Sequence, residues 1–299
     1  MSLDAFHKPG KFFRGNLHTH SNRSDGMLAP EAVIAHYREA GYDFLALTDH
    51  FQKRYNFPIV DTRPFRTNSF TTILGAEVHA PANSQGEYWH ILTVGLPDDF
   101  PPTGSAETGA ELAQRAFDAG AFVAIAHPQW SSLTIDDGRA LPMAHAVEVY
   151  NNVCALECGR GDGLALLDQL LNEGRNLTAI ATDDAHFRFN DACGGWVMVK
   201  AEENEPQALL AALKAGHFYS SQGPEIHAAE ISGGTLTVEC SPVVNIAAVG
   251  RGSRSTHVHG RQLTRGEISL KRFAGDWFRF AVSDAAGRWA WSNPVRLDP

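Results

Sequence analysis

The sequence predicts an α/β fold made of parallel strand–helix units, followed by a smaller region that is rich in β-strands. Three observations lead to this prediction. Short apolar runs alternate with helical patterns up to about Ser220, polar side chains collect where these runs end, and helical patterns disappear beyond that point. Repeated strand–helix units are typical of a parallel sheet that is either closed as a barrel or doubly wound.

The first strand is predicted from Lys11 to Leu17. The helix after it begins near Pro30, which suits a first helical turn, and Gly41 ends it. A long loop is expected between Phe51 and Phe70. Further strands are predicted at 44–47, 71–78, 88–96, 121–126, 146–150, 177–181 and 196–199, and further helices at 107–119, 164–173 and 206–215.

Short β-type runs separated by turns follow Ser220. Runs of this length and spacing suggest a small antiparallel β-sandwich-like domain. The boundary is expected near Gln222-Gly223-Pro224, which gives a first domain at 1–222 and a second at 223–299. The strands of the second domain are predicted at 225–231, 235–240, 243–249, 267–270 and 278–283, with a turn at 284–287.

Composition and charge narrow the partners that are expected. The chain has 299 residues and a net charge of −9, which argues against non-specific binding to nucleic acid or to an anionic membrane. No apolar run approaches the roughly 20 residues needed to cross a bilayer, and Met1 to Gly10 lacks the apolar stretch of a signal peptide. A cytoplasmic protein with a small-molecule substrate and reduced cysteines is therefore expected.

The first strand ends in a histidine pair. Residues i and i+2 of a strand point to the same face, so His18 and His20 are expected to project side by side. Asp25 follows five residues later and adds an oxygen donor. Imidazole nitrogens and a carboxylate together can bind a metal ion, although an isolated His-x-His is more often a loop edge without a ligand.

Similar residues follow several other strands. Together they form a mixed nitrogen and oxygen donor set that suits Zn, Mn or Fe and lacks the thiolates of a structural zinc site. The set is too large for one ion, and a carboxylate can bridge, so two or three divalent metal ions are expected. Its members are His18, His20, Asp25, His50, Glu77, His90, His127, Asp184 and His186.

The ordered motifs resemble the PHP (polymerase and histidinol phosphatase) superfamily of metal-dependent phosphoesterases over the part of the chain that precedes Ser220. The resemblance implies a TIM-like, distorted (β/α)7 barrel with two or three bound metals. It depends on the segments Asn16-Leu17-His18-Thr19-His20, Ser24-Asp25-Gly26, Leu47-Thr48-Asp49-His50, Gly75-Ala76-Glu77, Ala126-His127-Pro128 and Thr182-Asp183-Asp184-Ala185-His186.

The resemblance also implies a role for each residue. The first metal is assigned His18, His20 and Asp184, and Glu77 bridges it to a second metal that is completed by His90 and His127. A third metal is assigned Asp25, His50 and His186, and the catalytic residues are expected to be Glu77, Asp184 and His186. Asp183 competes with Asp184 for the place in the first site, and His90 could instead be a histidine of the core.

The second domain carries a resemblance of its own. Ser221-Gln222-Gly223-Pro224, Cys240-Ser241-Pro242 and Trp291-Ser292-Asn293-Pro294 resemble the tail of PHP proteins grouped with carbaryl hydrolase. That branch includes members that cleave an aryl carbamate rather than a phosphate ester, so the resemblance leaves the bond that is cleaved open.

Several other polar residues lie close to these motifs. Arg23, Arg54 and Arg188 could hold an anionic oxygen, and His79 could contact substrate or support a ligand. Asp49 could orient His50 or cap a strand end. A second His-x-His, at residues 257–259, is expected to lie in a solvated loop.

The sequence therefore predicts a metal-dependent hydrolase. Phosphoester hydrolysis (EC 3.1) of a small molecule is favoured, with a metal-bridging hydroxide as the nucleophile. Hydrolysis of an amide or carbamate bond at the same site is one alternative, and a non-catalytic metal-dependent binding module is another.

Overall fold

The structure is a computed structural model that describes residues 3–298. It is a mixed α/β protein. The helices are α1 Asp4–His7, α2 Pro30–Glu39, α3 Gly109–Asp118, α4 Ile135–Ala140, α5 Asn152–Cys158, α6 Leu164–Asn172 and α7 Pro206–Ala215. The strands are β1 Lys11–Asn16, β2 Phe44–Leu47, β3 His50–Phe51, β4 Thr71–Ala80, β5 Trp89–Val94, β6 Phe122–Ile125, β7 Ala146–Asn151, β8 Thr178–Thr182, β9 Trp196–Ala201, β10 Phe218–Ser221, β11 Ile226–Ser232, β12 Thr235–Gly250, β13 Ser255–Ser269, β14 Trp277–Ser283, β15 Trp289–Ser292 and β16 Val295–Arg296.

The strands belong to one 16-stranded sheet, whose main path runs β11-β12-β14-β15-β10-β9-β1-β2-β4-β5-β6-β7-β8. Strands β1, β2 and β4 pair in parallel, and so do β6, β7 and β8. The predicted α/β class is therefore confirmed. Strand β5 differs from a repeated parallel unit, because it is antiparallel to both of its neighbours.

The paired strands do not close into a complete barrel. Within residues 3–298, the path of paired strands ends at β8 and does not return to β1. The segments that follow these two strands meet in an isolated parallel bridge between Thr19 and Ala185. This bridge brings the histidine pair after β1 beside the aspartate pair after β8.

Apolar runs form the central strands because both faces of those strands are covered. Every residue of β2 and of β6 is buried, as expected for parallel strands between helices. The predicted strands and helices of this half are present, with ends that coincide with the prediction or differ from it by at most two residues. Helices α4 and α5 are short and were not predicted, since neither is long enough to show an apolar period.

The C-terminal strands join the same sheet instead of forming an isolated one. Strand β10 pairs with β9 on one side and with β15 on the other. The prediction of two strands at 235–240 and 243–249 was wrong, because one strand, β12, spans both. Its register shifts between Glu239 and Val243, and Pro242 lies in this irregular part, where a missing N–H is tolerated. The predicted domain boundary lies between β10 and β11 and stays a prediction.

The C-terminal strands also pack on helix α6. Trp277 and Trp291 belong to the same buried apolar cluster as Leu167 and Leu171 of that helix. The guanidinium of Arg279 donates to both carboxylate oxygens of Asp168, at 2.9 and 2.8 Å. The C-terminal region is thus joined to the first by sheet pairing, by apolar packing and by an ion pair.

Two further findings concern the cysteines and the possibility of a membrane-spanning helix. Cys154, Cys158, Cys193 and Cys240 are all free thiols. Over residues 3–298, no helix combines the length and the apolar character that crossing a membrane requires.

Candidate metal centre

The histidine pair after β1 forms a buried part of the candidate metal centre. His18 and His20 are fully buried, and their ring centroids are 5.3 Å apart. Both Nε2 atoms face the same carboxylate oxygen, Asp184 Oδ1, at 3.2 Å for His18 and 2.8 Å for His20. The i, i+2 spacing therefore places the two imidazoles side by side, as the sequence predicted.

Glu77 lies at the middle of the centre. It is a fully buried residue of β4, and its two oxygens face different imidazoles. Oε1 lies 2.8 Å from His90 Nδ1 and 3.1 Å from His127 Nε2. Oε2 lies 2.5 Å from His50 Nδ1 and 3.8 Å from His20 Nε2. A carboxylate surrounded in this way is placed to bridge two cations.

The third predicted set of ligands also comes together. Asp25 Oδ1 lies 3.4 Å from His50 Nε2 and 3.3 Å from His186 Nε2. The ring of His20 contacts the rings of both these histidines, with centroid separations of 4.3 Å. Arg188 donates to the other oxygen of Asp25 at 2.9 Å. Residues 25, 50 and 186 thus meet beside the first pair although they come from three separate segments of the chain.

The two adjacent aspartates point in different directions. Asp183 accepts hydrogen bonds from the Tyr37 hydroxyl at 2.8 Å and from the backbone N–H groups of residues 193–195 at 2.7 to 2.8 Å. Asp184 faces the histidine pair, and its backbone φ of +56° turns the chain between the two residues. The carboxylate of Asp183 is already occupied by donors, which supports Asp184 as the ligand.

The two aspartates also differ in their pKa values. Burial raises the pKa of Asp183 to about 6, although its four donors favour the charged form. Burial likewise opposes the charge of Asp184, but His18 and His20 outweigh it and hold the pKa of Asp184 well below its usual range. Asp184 is therefore a carboxylate at neutral pH, as a metal ligand must be.

Two buried histidines are strongly biased toward the neutral form. Burial and the nearby imidazoles of His50 and His186 lower the pKa of His20 to about 3. Burial and the neighbouring His90 lower the pKa of His79 to about 3. A neutral imidazole keeps the lone pair that a metal ligand needs.

Two histidines that lie beside carboxylates have raised pKa values instead. Burial opposes the charge of His186, but the hydrogen bond to Asp25 and the charge of Asp184 outweigh it and raise its pKa to about 9. Asp184 and Glu148 likewise outweigh burial and raise the pKa of His18. The carboxylates around His18 and His186 thus favour a positive charge beside them, either a proton on the imidazole or a bound cation.

The donor set fits divalent metal ions. Among residues 3–298, buried polar atoms without a hydrogen-bond partner include His18 Nε2, Asp25 Oδ1 and Glu77 Oε2, all of which face the centre. Buried polar atoms normally have partners, so these atoms are suited to a cation. Four groups have ligand atoms within 4.8 Å of one another: 20, 25, 50 and 186; 50, 77, 79 and 90; 18, 127 and 184; and 18, 20 and 77.

Sequence reasoning missed a carboxylate that supports these ligands. Glu148 of β7 is fully buried and contacts His18 Nδ1 at 2.9 Å and the backbone N–H of His127 at 2.6 Å. It also accepts from Asn151 Nδ2 at 3.0 Å and contacts the hydroxyl of Thr182. The available signal was an acidic residue between two valines in an otherwise apolar strand.

The centre opens into a central cavity of about 1270 Å³, whose wall includes His50, His90, His127, Asp184 and His186. The remaining wall is mixed, and it includes the carboxylates of Glu87 and Glu157. Its cationic and aromatic members are Lys53, Arg54, Arg188, Phe57, Tyr88 and Trp130. A cavity of this size accommodates a small organic molecule.

The residues suggested for substrate contact have different positions. His79, Arg54 and Arg188 line the central cavity, whereas Arg23 is exposed and is not part of its wall. Asp49 accepts from Ser21 and Ser24, so it orders the loop after His20 rather than orienting His50.

The second His-x-His lies away from the centre. His257 and His259 are exposed on β13, with ring centroids 4.4 Å apart, so they belong to a strand and not to the predicted loop. Within the described part of the chain, neither residue belongs to a group of metal-competent side chains.

No family model matches the chain, and no curated protein matches it. Its structure is similar to a two-domain protein from Bacteroides vulgatus ATCC 8482 that contains a predicted PHP-like metal-dependent phosphoesterase. The two share 17% sequence identity with a TM-score of 0.53, over 95% of this chain and 97% of the other.

Two further solved structures are similar over part of the chain. One is a candidate metal-dependent phosphoesterase from Bifidobacterium adolescentis ATCC 15703, at 16% identity and a TM-score of 0.42, over 57% of this chain and 87% of the other. The other is an amidohydrolase from Chromobacterium violaceum with bound sulfate and no metal, at 16% identity and a TM-score of 0.41, over 60% and 89%. The match to the Bacteroides vulgatus protein along nearly the full length of both chains shows that this chain shares the fold of that structure.

Proposed function

We propose that the protein is a metal-dependent hydrolase, and that its substrate is a small-molecule phosphate ester. Two or three divalent ions, Zn, Mn or Fe, are held by the strand-end residues 18, 20, 25, 50, 77, 90, 127, 184 and 186. One observation carries the proposal. Glu77 is fully buried, and its two oxygens face imidazoles that the motifs assign to different ions: His90 Nδ1 lies 2.8 Å from Oε1, and His50 Nδ1 lies 2.5 Å from Oε2.

The chemistry follows from such a centre. When bound, divalent ions supply an activated hydroxide and stabilise negative charge on the oxygen of the scissile group. The protein would fix their positions through ligands that have partners of their own: His18 contacts the buried Glu148, and His127 contacts the partly buried Ser131, at 2.9 Å each. His186 and Asp184 line the central cavity, so substrate bound there lies next to the centre.

Two cationic side chains of the cavity wall favour an anionic substrate. Lys53 and Arg54 are exposed residues of the wall, and among the ion pairs between described residues neither has a carboxylate partner. Arginine and lysine recognise phosphate oxygens through charge-assisted hydrogen bonds. The net charge of −9 favours a small molecule over DNA as the bearer of that phosphate.

Carbamate or amide hydrolysis remains the second candidate, and one feature of the wall favours it. Trp130 is 42% exposed, and its ring lies 5.6 Å from that of His90 and 5.0 Å from that of His127. An exposed aromatic ring beside the centre suits a planar neutral group. The same centre would serve both reactions, because a phosphoryl group and a carbonyl group both develop negative charge on oxygen.

The proposal extends to the architecture. We assign residues 1–222 to a distorted (β/α)7 barrel that carries the centre and residues 223–299 to a C-terminal β-sandwich-like domain. Strands β1, β2, β4, β5, β6, β7 and β8 supply the seven positions, and the bridge between Thr19 and Ala185 supports closure on the side where the sheet is open.

The test uses the full chain loaded with Mn²⁺ or Zn²⁺ and assayed on p-nitrophenyl phosphate and on an aryl carbamate. We expect turnover of the phosphate, and loss of that turnover in a His20→Ala variant. Turnover of the carbamate alone would assign the second candidate. No turnover of either compound, with less than one metal per chain, would contradict a metallohydrolase; full metal loading without turnover would instead indicate a metal-dependent binding module.

A further inference from the structure

His79 lies inside the centre although it is not among the nine ligands that the motifs imply. It follows Glu77 by two residues on β4, so both side chains point to the same face. It is also the direct partner of His90 in the antiparallel pairing of β4 with β5, which sets the two imidazoles opposite each other. Only 1% of its side chain is exposed.

The nitrogen of His79 that faces the centre is Nε2. This atom lies 3.5 Å from Glu77 Oε2 and 2.9 Å from His50 Nδ1, and the ring centroid lies 4.3 Å from that of His90. One ligand atom from each of these four residues lies within 4.8 Å of all the others. Ligand atoms that share one zinc ion at about 2.0 to 2.2 Å are separated by roughly 3 to 4 Å.

A hydrogen bond between His50 and His79 does not account for this arrangement alone. His50 Nδ1 lies closer to Glu77 Oε2, at 2.5 Å, than to His79 Nε2, at 2.9 Å. Among the described residues, however, Glu77 Oε2 accepts no hydrogen bond. A buried carboxylate oxygen without a donor is costly. A cation that contacts both Glu77 Oε2 and His79 Nε2 satisfies the carboxylate and uses the lone pair of a neutral imidazole.

We propose that His79 is a metal ligand and that it holds the second ion together with Glu77 and His90. This inference rests on the proposed function, because it requires that the centre bind metal. A ligand added to the second site raises the nitrogen content of that site. Imidazole nitrogen suits Zn and Fe better than Mn, so the second site should prefer zinc or iron.

The experiment compares wild type, His79→Ala and His79→Gln in metal-free protein titrated with Co²⁺. Bound ions are counted by mass spectrometry, and the visible absorption of Co²⁺ reports the ligands of each ion. The amide oxygen of glutamine can accept a hydrogen bond from His50, but it is a poor metal ligand. We expect both variants to bind one ion roughly 100-fold more weakly than wild type, with a changed Co²⁺ spectrum.

A matched control is His145→Ala, which removes an imidazole that lies between Phe117 and Phe122 and that belongs to none of the ligand groups found among the described residues. This variant should keep every ion. Full metal binding by His79→Gln would overturn the assignment and show that His79 serves only as a hydrogen-bond acceptor. Unchanged binding by both His79 variants would overturn it as well. A wild-type protein that binds no Co²⁺, Zn²⁺ or Mn²⁺ would contradict the proposed function itself, which distinguishes the two failures.

Discussion

The carboxylate of Glu148 lies 2.9 Å from Nδ1 of His18, on the side of the imidazole opposite to Nε2. With Nδ1 donating to this carboxylate, the lone pair of His18 is on Nε2, which faces Asp184 at 3.2 Å. The other oxygen of Glu148 accepts from the backbone N–H of His127 at 2.6 Å and from Asn151 at 3.0 Å. One buried carboxylate thus positions two of the expected ligands.

Replacing Glu148 by glutamine should therefore weaken metal binding without removing a ligand. Both oxygens of Glu148 accept hydrogen bonds, and the amide group of glutamine turns one of these acceptors into a donor that faces other donors. We expect a 10- to 100-fold loss of affinity, on the order found for residues that support metal ligands. Chelator competition measures the affinity, and the ¹⁵N shifts of the His18 ring report its tautomer.

The control for this change is Glu157→Gln, which removes an exposed carboxylate in the cavity wall. That variant should bind metal as wild type does. If Glu148→Gln kept both the wild-type affinity and the wild-type tautomer signal of His18, the positioning role of Glu148 would be refuted.

Glu77→Gln should have a larger effect, since Glu77 contacts the imidazoles of more than one group. The amide keeps the shape of the side chain but loses the charge and one acceptor, so metal content and hydrolytic activity should fall together. Metal content by mass spectrometry and turnover on one substrate are measured on the same sample. Glu87→Gln, an exposed change in the cavity wall, serves as the control. Unchanged activity in Glu77→Gln would exclude its bridging role.

Asp276 provides a pH-dependent prediction away from the centre. Hydrogen bonds from Arg251, at 2.6 and 3.1 Å, and the charge of Arg254 hold the pKa of Asp276 below its usual value of 3.8. A carboxyl whose pKa is lower in the folded chain stabilises the fold above the unfolded pKa, and this stabilisation is lost as the pH falls through the folded pKa.

The free energy of unfolding should therefore differ most between wild type and Asp276→Asn above about pH 4, and the difference should disappear as the pH approaches about 2. Urea unfolding at a series of pH values measures it. Asp99→Asn, a change of an exposed carboxylate, should show no such trend. If the difference in the free energy of unfolding between the two proteins grew as the pH fell, a stabilising role for this ion pair would be contradicted.

Much of the candidate site could be predicted from sequence, because short apolar runs mark the strands and several of the expected ligands, such as His18, His127 and Asp184, lie just beyond the strand ends. His18 and His20 needed only the two-residue period of a strand. Spacing favoured Asp184 over Asp183, because Asp184 stands two residues before His186. The structural support for that choice comes from the positive φ of Asp184 and from Tyr37, which is distant in sequence and donates to Asp183.

Other features depended on pairing that a single sequence does not encode locally. An apolar run does not reveal its direction, so the antiparallel placement of β5 was missed. Glu148 was overlooked because its partners, His18 and His127, come from other strands. The joining of the C-terminal strands to β10 is likewise a long-range pairing, which turn signals and alternation do not predict.

The contact between the two parts of the chain gives the last prediction. Arg279 is 6% exposed, and its guanidinium donates to both oxygens of Asp168 on helix α6, whose side chain is 29% exposed. Removing either partner leaves the other without its charge-assisted hydrogen bonds. We expect Arg279→Met and Asp168→Asn each to lower the free energy of unfolding by about 2 kcal/mol.

A double-mutant cycle separates the pair from the packing of the long arginine side chain. If the two residues interact as the geometry indicates, the double variant should be less destabilised than the sum of the single variants by about 1 kcal/mol or more. Arg265→Met, which removes an exposed arginine paired only within the C-terminal strands, should change stability little. Additive single effects would show that the ion pair does not join α6 to β14, and that the apolar cluster around Trp277 holds the two parts together.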